Sequence, residues 1–335
     1  MILIQFYSYG KLEEDGRMIA LLDIGNTHTH VGVANSRRVL RHADVLTKEW
    51  RAGAAKSAAA RFLRKGPLTG AILCSVVPTV TPLVAAFLKT EFGLACLELN
   101  ARTVRGVGID YPKPETIGPD RLANAVAVKH HFGAPAVVVD FGTAVTFDVV
   151  DVAGNYIGGI IAPGLNAMTD YLHEKTALLP RIRIREVSAS VGRNTEQAML
   201  IGAVKGYRGL IRELVEELKR AMRCRRLPVV ATGGYARLIS SKLPEITAVE
   251  PLLTLEGLRL VWEATPILTE MREQCTKRVT PVGRRSSGAS PKKARLETPN
   301  TKVVLVPRNP SPCPLPTTRG EGWPKAGRGV PWKPA

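Results

Sequence analysis

Two short turns carry the residues best suited to chemistry. Asp23-Ile24-Gly25-Asn26-Thr27 and Asp140-Phe141-Gly142-Thr143 repeat one order, acid, apolar residue, glycine and then polar residues, 117 positions apart. An Asp at a strand end followed by a glycine turn is a recurrent way to handle phosphates and cations. The glycine lets the backbone come close to a phosphate with no side chain in the way. Exposed N–H groups and the hydroxyls of Thr27 and Thr143 donate to phosphate oxygens, and the Asp holds a cation, directly or through water. One such turn is weak, but two in matching contexts point to nucleotide phosphates between two halves. The chain has no G-x-G-x-x-G after a strand and no G-x-x-x-x-G-K-[ST].

Phosphoryl transfer needs alignment, charge neutralisation and a group that takes the acceptor's proton. Asp120 suits the third task. It follows a loop, residues 105–119, shaped by Gly106, Gly108, Pro112, Pro114, Gly118 and Pro119. Arg121 beside it could bind an anionic acceptor or keep the carboxylate ionised. The competing reading makes Asp120 a helix N-cap. His28 and His30 alternate on one strand and could suggest a metal, but no third ligand stands at usable spacing.

Apolar runs stand behind both turns, Ile19 to Leu22 and Val137 to Val139, and each turn is followed by a second run, Val31 to Ala34 and Phe147 to Val150. Such runs suit buried strands. Between them the pattern predicts a third strand at 39–45, a helix at 52–65, a strand at 71–77 and a helix at 81–92. After the second turn come a strand at 157–164, helices at 166–174 and 195–224, a strand at 228–236 and a last helix at 253–263. Gly206 and Gly209 are read as sites of close helix packing. The reading is an α/β fold with an antiparallel hairpin edge, duplicated around a cleft.

Of the formal charge of +18, fourteen Lys or Arg against three Glu place +11 in the last 64 residues, leaving an ordinary +7 for the body. That tail holds eleven of the 24 prolines and reads as disordered. A basic tail can bind nucleic acid, yet a solvated extension suits its composition better. Five cysteines without a C-x-x-C pair read as reduced thiols. No apolar stretch approaches the ~18–20 residues of a membrane span, and no signal peptide is expected. Residues 1–17 read as a non-native or frayed extension, 18–132 and 133–268 as two lobes, and 269–335 as the tail.

The sequence Asp23 to His28, the loop from Tyr111-Pro112 through Gly118-Pro119-Asp120-Arg121-Leu122-Ala123-Asn124, and Asp140 to Thr146 resemble the three signature motifs of the type III pantothenate kinase family. Gly158 to Gly164, Gly192-Arg193-Asn194-Thr195 and Thr232 to Ala236 extend the resemblance over about residues 18–265. It implies the actin-like, acetate-and-sugar-kinase (RNase H-like) fold, two lobes with the nucleotide between them. It implies phosphorylation of pantothenate by ATP at the primary hydroxyl, the first step towards coenzyme A, in a cytoplasmic homodimer whose pantothenate site lies near the interface. A monovalent cation, potassium or ammonium, and magnesium with the nucleotide are implied as well. Carried over, Asp23, Ile24, Gly25, Asn26, Thr27, His28, Thr29, His30 and Thr143 line ATP, and Asp120 accepts the proton. Tyr111, Gly118, Pro119, Asp120, Arg121 and Thr195 bind pantothenate, and Asp140 holds the monovalent cation. Val145 stands where the family often has Thr. Another kinase of the superfamily, or a non-catalytic regulator on the same scaffold, is the alternative.

Overall fold

The computed structural model describes residues 7–8 and 18–265. The elements are β1 (Tyr7–Ser8), β2 (Met18–Ile24), β3 (His28–Ala34), β4 (Val39–Leu46), α1 (Glu49–Ala52), α2 (Ala54–Leu63), β5 (Leu68–Ser75), α3 (Thr81–Phe92), β6 (Cys96–Glu98) and β7 (Gly108–Ile109). They continue as α4 (Pro119–Phe132), β8 (Ala136–Phe141), β9 (Ala144–Val150), β10 (Asn155–Pro163), α5 (Leu165–Lys175), α6 (Thr195–Ile201), α7 (Tyr207–Ala221), β11 (Val229–Gly233), α8 (Ala236–Ser240), β12 (Ala248–Val249) and α9 (Leu253–Glu263).

The described strands form two six-stranded sheets, ordered β1-β4-β3-β2-β5-β6 and β12-β11-β8-β9-β10-β7. In the first, β2, β3 and β4 run antiparallel, while β2, β5 and β6 run parallel. The second repeats this with β8, β9 and β10 antiparallel and β8, β11 and β12 parallel. The duplication expected from the two turns is therefore present in five strands of each sheet; the sixth differs, since β1 runs antiparallel to β4 and β7 parallel to β10. Leu21, Leu22 and Val137 to Val139 are fully buried. Strands flanked on both sides and covered on both faces read as continuous apolar runs for this reason.

Helices α1 to α3 cover one face of the first sheet, where Trp50, Phe62 and Phe87 pack with Leu22, Val31 and Val33. The other face packs on α4 and α9, and the same core of Leu21, Ile72, Leu122, Val126, Leu258 and Trp262 reaches Val138, Val150 and Val230 of the second sheet. Helix α4 is thus gripped by both sheets, so its first turn is rigidly placed.

Three details differ from the pattern. The expected helix 52–65 is α2, and Gly53, at φ 82°, separates it from the short helix α1 that precedes it. The stretch 195–224 is α6 and α7 joined by a π-turn at Gly202–Gly206. A Cβ on Gly202, Gly206 or Gly209 would meet nothing within 4 Å, so Gly206 and Gly209 are not close-packing sites. Cys74 and Cys96 are free thiols. The basic tail and most of residues 1–17 lie outside the described residues. No helix among the described residues is long and apolar enough to cross a membrane.

Helices α4 and α9 touch backbone to backbone at Gly257. A Cβ there would lie 2.0 Å from the carbonyl oxygen of Ala123 and 2.9 Å from its Cα, atoms that cannot rotate away. Overpacking of this kind costs about 1–3 kcal/mol, against a gain of about 1 kcal/mol in helix propensity. Gly257→Ala is expected to lower the melting temperature in a thermal scan; an unchanged or higher value would mean that the helices part freely.

Candidate active site

Strand β2 ends by presenting Asp23, in register with His30 of β3 and Cys74 of β5. Strand β8 presents Asp140, in register with Thr146 of β9 and Thr232 of β11. The two turns meet: the hydroxyl oxygens of Thr27 and Thr143 are 3.0 Å apart. Gly25 N–H donates to the His28 carbonyl at 3.0 Å, and Gly142 N–H to the Ala144 carbonyl at 3.1 Å, closing both turns tightly. Gly233, at φ 87°, completes the floor, since a Cβ there would lie 2.6 Å from Asp140 Oδ1.

Helix α4 supplies the third acid. Its N-cap is Gly118 and Pro119 begins the helix, a position where the missing N–H costs nothing. Asp120 therefore lies inside the first turn and is not the N-cap. A Cβ at position 118 would come within 2.5 Å of Asp120 Oδ1, so the glycine leaves room for the carboxylate. Arg121 turns away from Asp120: its Nε donates to Asp148 Oδ1 at 2.5 Å and its Nη2 to the Phe147 carbonyl at 2.8 Å. The guanidinium also lies 5.7 Å from the Tyr156 ring, which meets Tyr111 edge-on at 6.1 Å.

Four carboxyl groups share this space. Burial raises Asp120 to about 7, reinforced by the charges of Asp23, Asp148 and Asp140 and only partly opposed by the Arg121 N–H. Asp140 rises to about 6 through burial and the charges of Asp148 and Asp23, against hydrogen bonding from Asn124 and the charge of His30. Burial also raises Asp23 and Asp148, though His30 and Cys74 oppose it in the first and Arg121 and Asn124 in the second. His30 is the counterweight. Burial disfavours its charge, but the hydrogen bond to Asp44 at 2.7 Å and the charges of Asp23, Asp44 and Asp140 carry it to about 9. The cleft is thus rich in carboxylates and short of positive charge, which fits a bound cation. Among the described residues no three His, Cys, Asp or Glu side chains group as a ready metal cage. A cation here would complete its shell from water and phosphate oxygens.

Not every residue named from the sequence faces the cleft. Ile24 is fully buried and offers only its backbone. Asn26, Thr27 and His28 are exposed at the turn. Thr29 points inward, its hydroxyl bonded to Thr47 and to the Trp50 indole N–H, so it braces the turn. Thr195 stands exposed at the start of α6, behind the Asn194 cap, and no observed contact joins it to the acids. The structure also adds residues that sequence reasoning missed. Asn124, 1% exposed, donates to Asp140 Oδ2 and to Asp148 Oδ2, both at 3.3 Å. The Cys74 thiol donates to Asp23 Oδ1 at 3.3 Å, and Asp44 holds His30. A signal was available for two of them. Asp148 interrupts an apolar strand and Asn124 an apolar helix stretch, and polar groups in such places need partners.

Two like mixed sheets, each ending a central strand in an Asp-x-Gly turn that faces the other, define a protein of the actin-like, acetate-and-sugar-kinase fold. A sequence profile of the type III pantothenate kinase family matches residues 19–217. A type III pantothenate kinase from Methylacidiphilum infernorum is 43% identical over 72% of this chain and 87% of its own. Another, from Akkermansia muciniphila, is 50% identical over 57% of this chain and 76% of its own. Among solved structures, a putative sugar kinase from Cytophaga hutchinsonii aligns with 73% of this chain and 99% of its own, at 14% identity and a TM-score of 0.39. The chain belongs to the type III pantothenate kinase family.

Proposed function

We propose that the protein transfers the γ-phosphoryl group of ATP to the primary hydroxyl of pantothenate, the first step of coenzyme A synthesis. One observation carries the reading. Asp120 is fixed on the first turn of α4 among the acids of both Asp-x-Gly turns, with its pKa raised to about 7. A general base works best when its pKa lies near the operating pH. The turn residues 23–28 and Thr143 would take the ATP phosphates, with His30 adding positive charge and Thr29 acting from behind. Asp120 would receive the hydroxyl proton. Tyr111, Gly118, Pro119 and Arg121 would shape the pantothenate site, with Thr195 contributing.

Asp140 would hold a potassium or ammonium ion, and magnesium would arrive with the nucleotide. Bound there, these cations would offset phosphate charge. The lobes would divide at about residues 132 and 133, in a protein working in the cytoplasm as a homodimer. The exposed side chains of Ile161, Tyr171 and Val191 would be available to such a dimer.

The test is product identity. Full-length protein, ATP, magnesium and potassium are incubated with pantothenate, and the product is read by mass spectrometry and phosphorus NMR. Phosphorylation at the primary hydroxyl, weaker when sodium replaces potassium, is expected. Phosphorylation of sugars or carboxylates alone would reject the substrate. The pH profile adds a second check. A base must be ionised, so kcat/KM for pantothenate should rise with pH through an acid limb centred near 7. A limb at the ordinary carboxylate value would remove Asp120 from the role.

A further inference from the structure

Among the described residues, Asn124 is the one neutral side chain bonded to two of the four clustered acids. It lies on α4 three residues after Arg121 and four after Asp120, so one helix face presents all three. Its Nδ2 donates to Asp140 Oδ2 and to Asp148 Oδ2, each at 3.3 Å. The other oxygen of Asp148 accepts from Arg121 Nε. An unbroken chain of hydrogen bonds therefore runs from Asp140, beside the phosphate turns, through Asn124 and Asp148 to Arg121, beside Asp120.

The amide could face either way in principle, and a second residue decides. Thr254, near the start of α9, donates its hydroxyl to Asn124 Oδ1 at 2.8 Å. A carboxylate only accepts, so a flipped amide would set its oxygen against both acids and take the donor away from Asp140 Oδ2 and Asp148 Oδ2. With Thr254 holding Oδ1, both N–H bonds point at the acids. The last described helix thus reaches back to fix a side chain at the centre of the cleft.

Resting on the kinase reading above, we infer that Asn124, oriented by Thr254, is a positioning residue that aims Asp140 at the phosphate side while holding Asp148 where it fixes Arg121 for the acceptor. Neither Asn124 nor Thr254 need touch a substrate. Loss of the amide frees Asp140 to rotate and loosens Asp148, so the two sides of the site should fail together. Removing such a supporting partner costs about 10- to 100-fold at metal sites, and the same range is expected here.

The experiment uses the full chain with Asn124→Ala and Thr254→Val, each first checked for a cooperative thermal transition. Pantothenate affinity is read by calorimetry without nucleotide, and kcat by ADP release with saturating substrates. Asn124→Ala is expected to weaken pantothenate binding about 10-fold and to lower kcat about 10- to 100-fold. Thr254→Val should move both in the same direction by less, because the amide remains but is free to flip. If a folded Asn124→Ala keeps both quantities within about twofold of the parent chain, Asn124 is a packing residue and the inference fails. The inference fails equally if only one of the two moves. Should Asn124→Ala not fold, Thr254→Val decides alone: both quantities shifted supports the inference, and both unshifted overturns it. A parent chain that binds or turns over no pantothenate would overturn the proposed function, a result separable from these because it precedes any substitution.

Discussion

Asp120→Asn is expected to reduce pantothenate-dependent turnover by about 10²- to 10⁴-fold, the usual contribution of a general base, with ATP affinity close to that of the parent chain. The substitution keeps the shape of the side chain and removes its capacity to take a proton. ATP affinity should survive because the turns proposed to take the phosphates lie on β2–β3 and β8–β9, not on α4. The same change should stabilise the fold at neutral and higher pH. Asp120 is an acid whose folded pKa, about 7, exceeds its ordinary value of 3.8. Its contribution to stability is fully present below about 4 and is lost as pH rises through 7. Asparagine avoids that loss, so the variant should melt higher than the parent at pH 8, and the gap should close towards pH 4. An unchanged turnover would make Asp120 a structural acid. A gap that widened on acidification would contradict the buried, repelled carboxylate.

The second large effect is expected at Arg121. Its side chain is 15% exposed, and the Asp148 side chain it pairs with is 0% exposed. Breaking such a pair from one side costs about 3–5 kcal/mol, because the remaining charge stays buried without a partner. Arg121→Ala should therefore lower stability in urea unfolding, and the loss should depend on pH. Arg121 lowers an Asp148 pKa that burial has raised. Without the guanidinium that pKa climbs further, so the penalty on ionisation grows as pH rises. The stability gap between parent and variant should be wider at pH 8 than at pH 5. A constant gap would show that Arg121 contributes packing alone. Pantothenate affinity should fall too, since Arg121 is proposed to shape the pantothenate site.

Much of this arrangement was legible because it follows from local pattern. The runs behind Asp23 and Asp140 are apolar and bounded by glycine turns, which reads as a buried strand delivering an acid. Repetition of that unit was enough to expect two lobes and a cleft. Asp120 stood out because it follows a loop dense in glycine and proline. What could not be read depends on register between distant strands or on helices meeting in space. His30 finds Asp44 only because β3 and β4 pair at that residue. Thr254 reaches Asn124 across 130 positions, because α9 returns to pack on α4. Thr29 shows the limit of a motif. It falls within the phosphate turn sequence, but strand alternation places its side chain on the inner face, where Trp50 takes its hydroxyl.

The measurement that bears most directly on the central claim is ADP release by the full chain with ATP and magnesium, comparing pantothenate with an analogue lacking the primary hydroxyl. The proposed role of Asp120, set among the acids of both Asp-x-Gly turns, predicts ADP in step with the pantothenate supplied and almost none with the analogue. ADP release that ignores both compounds would contradict it, leaving a nucleotide-hydrolysing scaffold whose acceptor is not pantothenate.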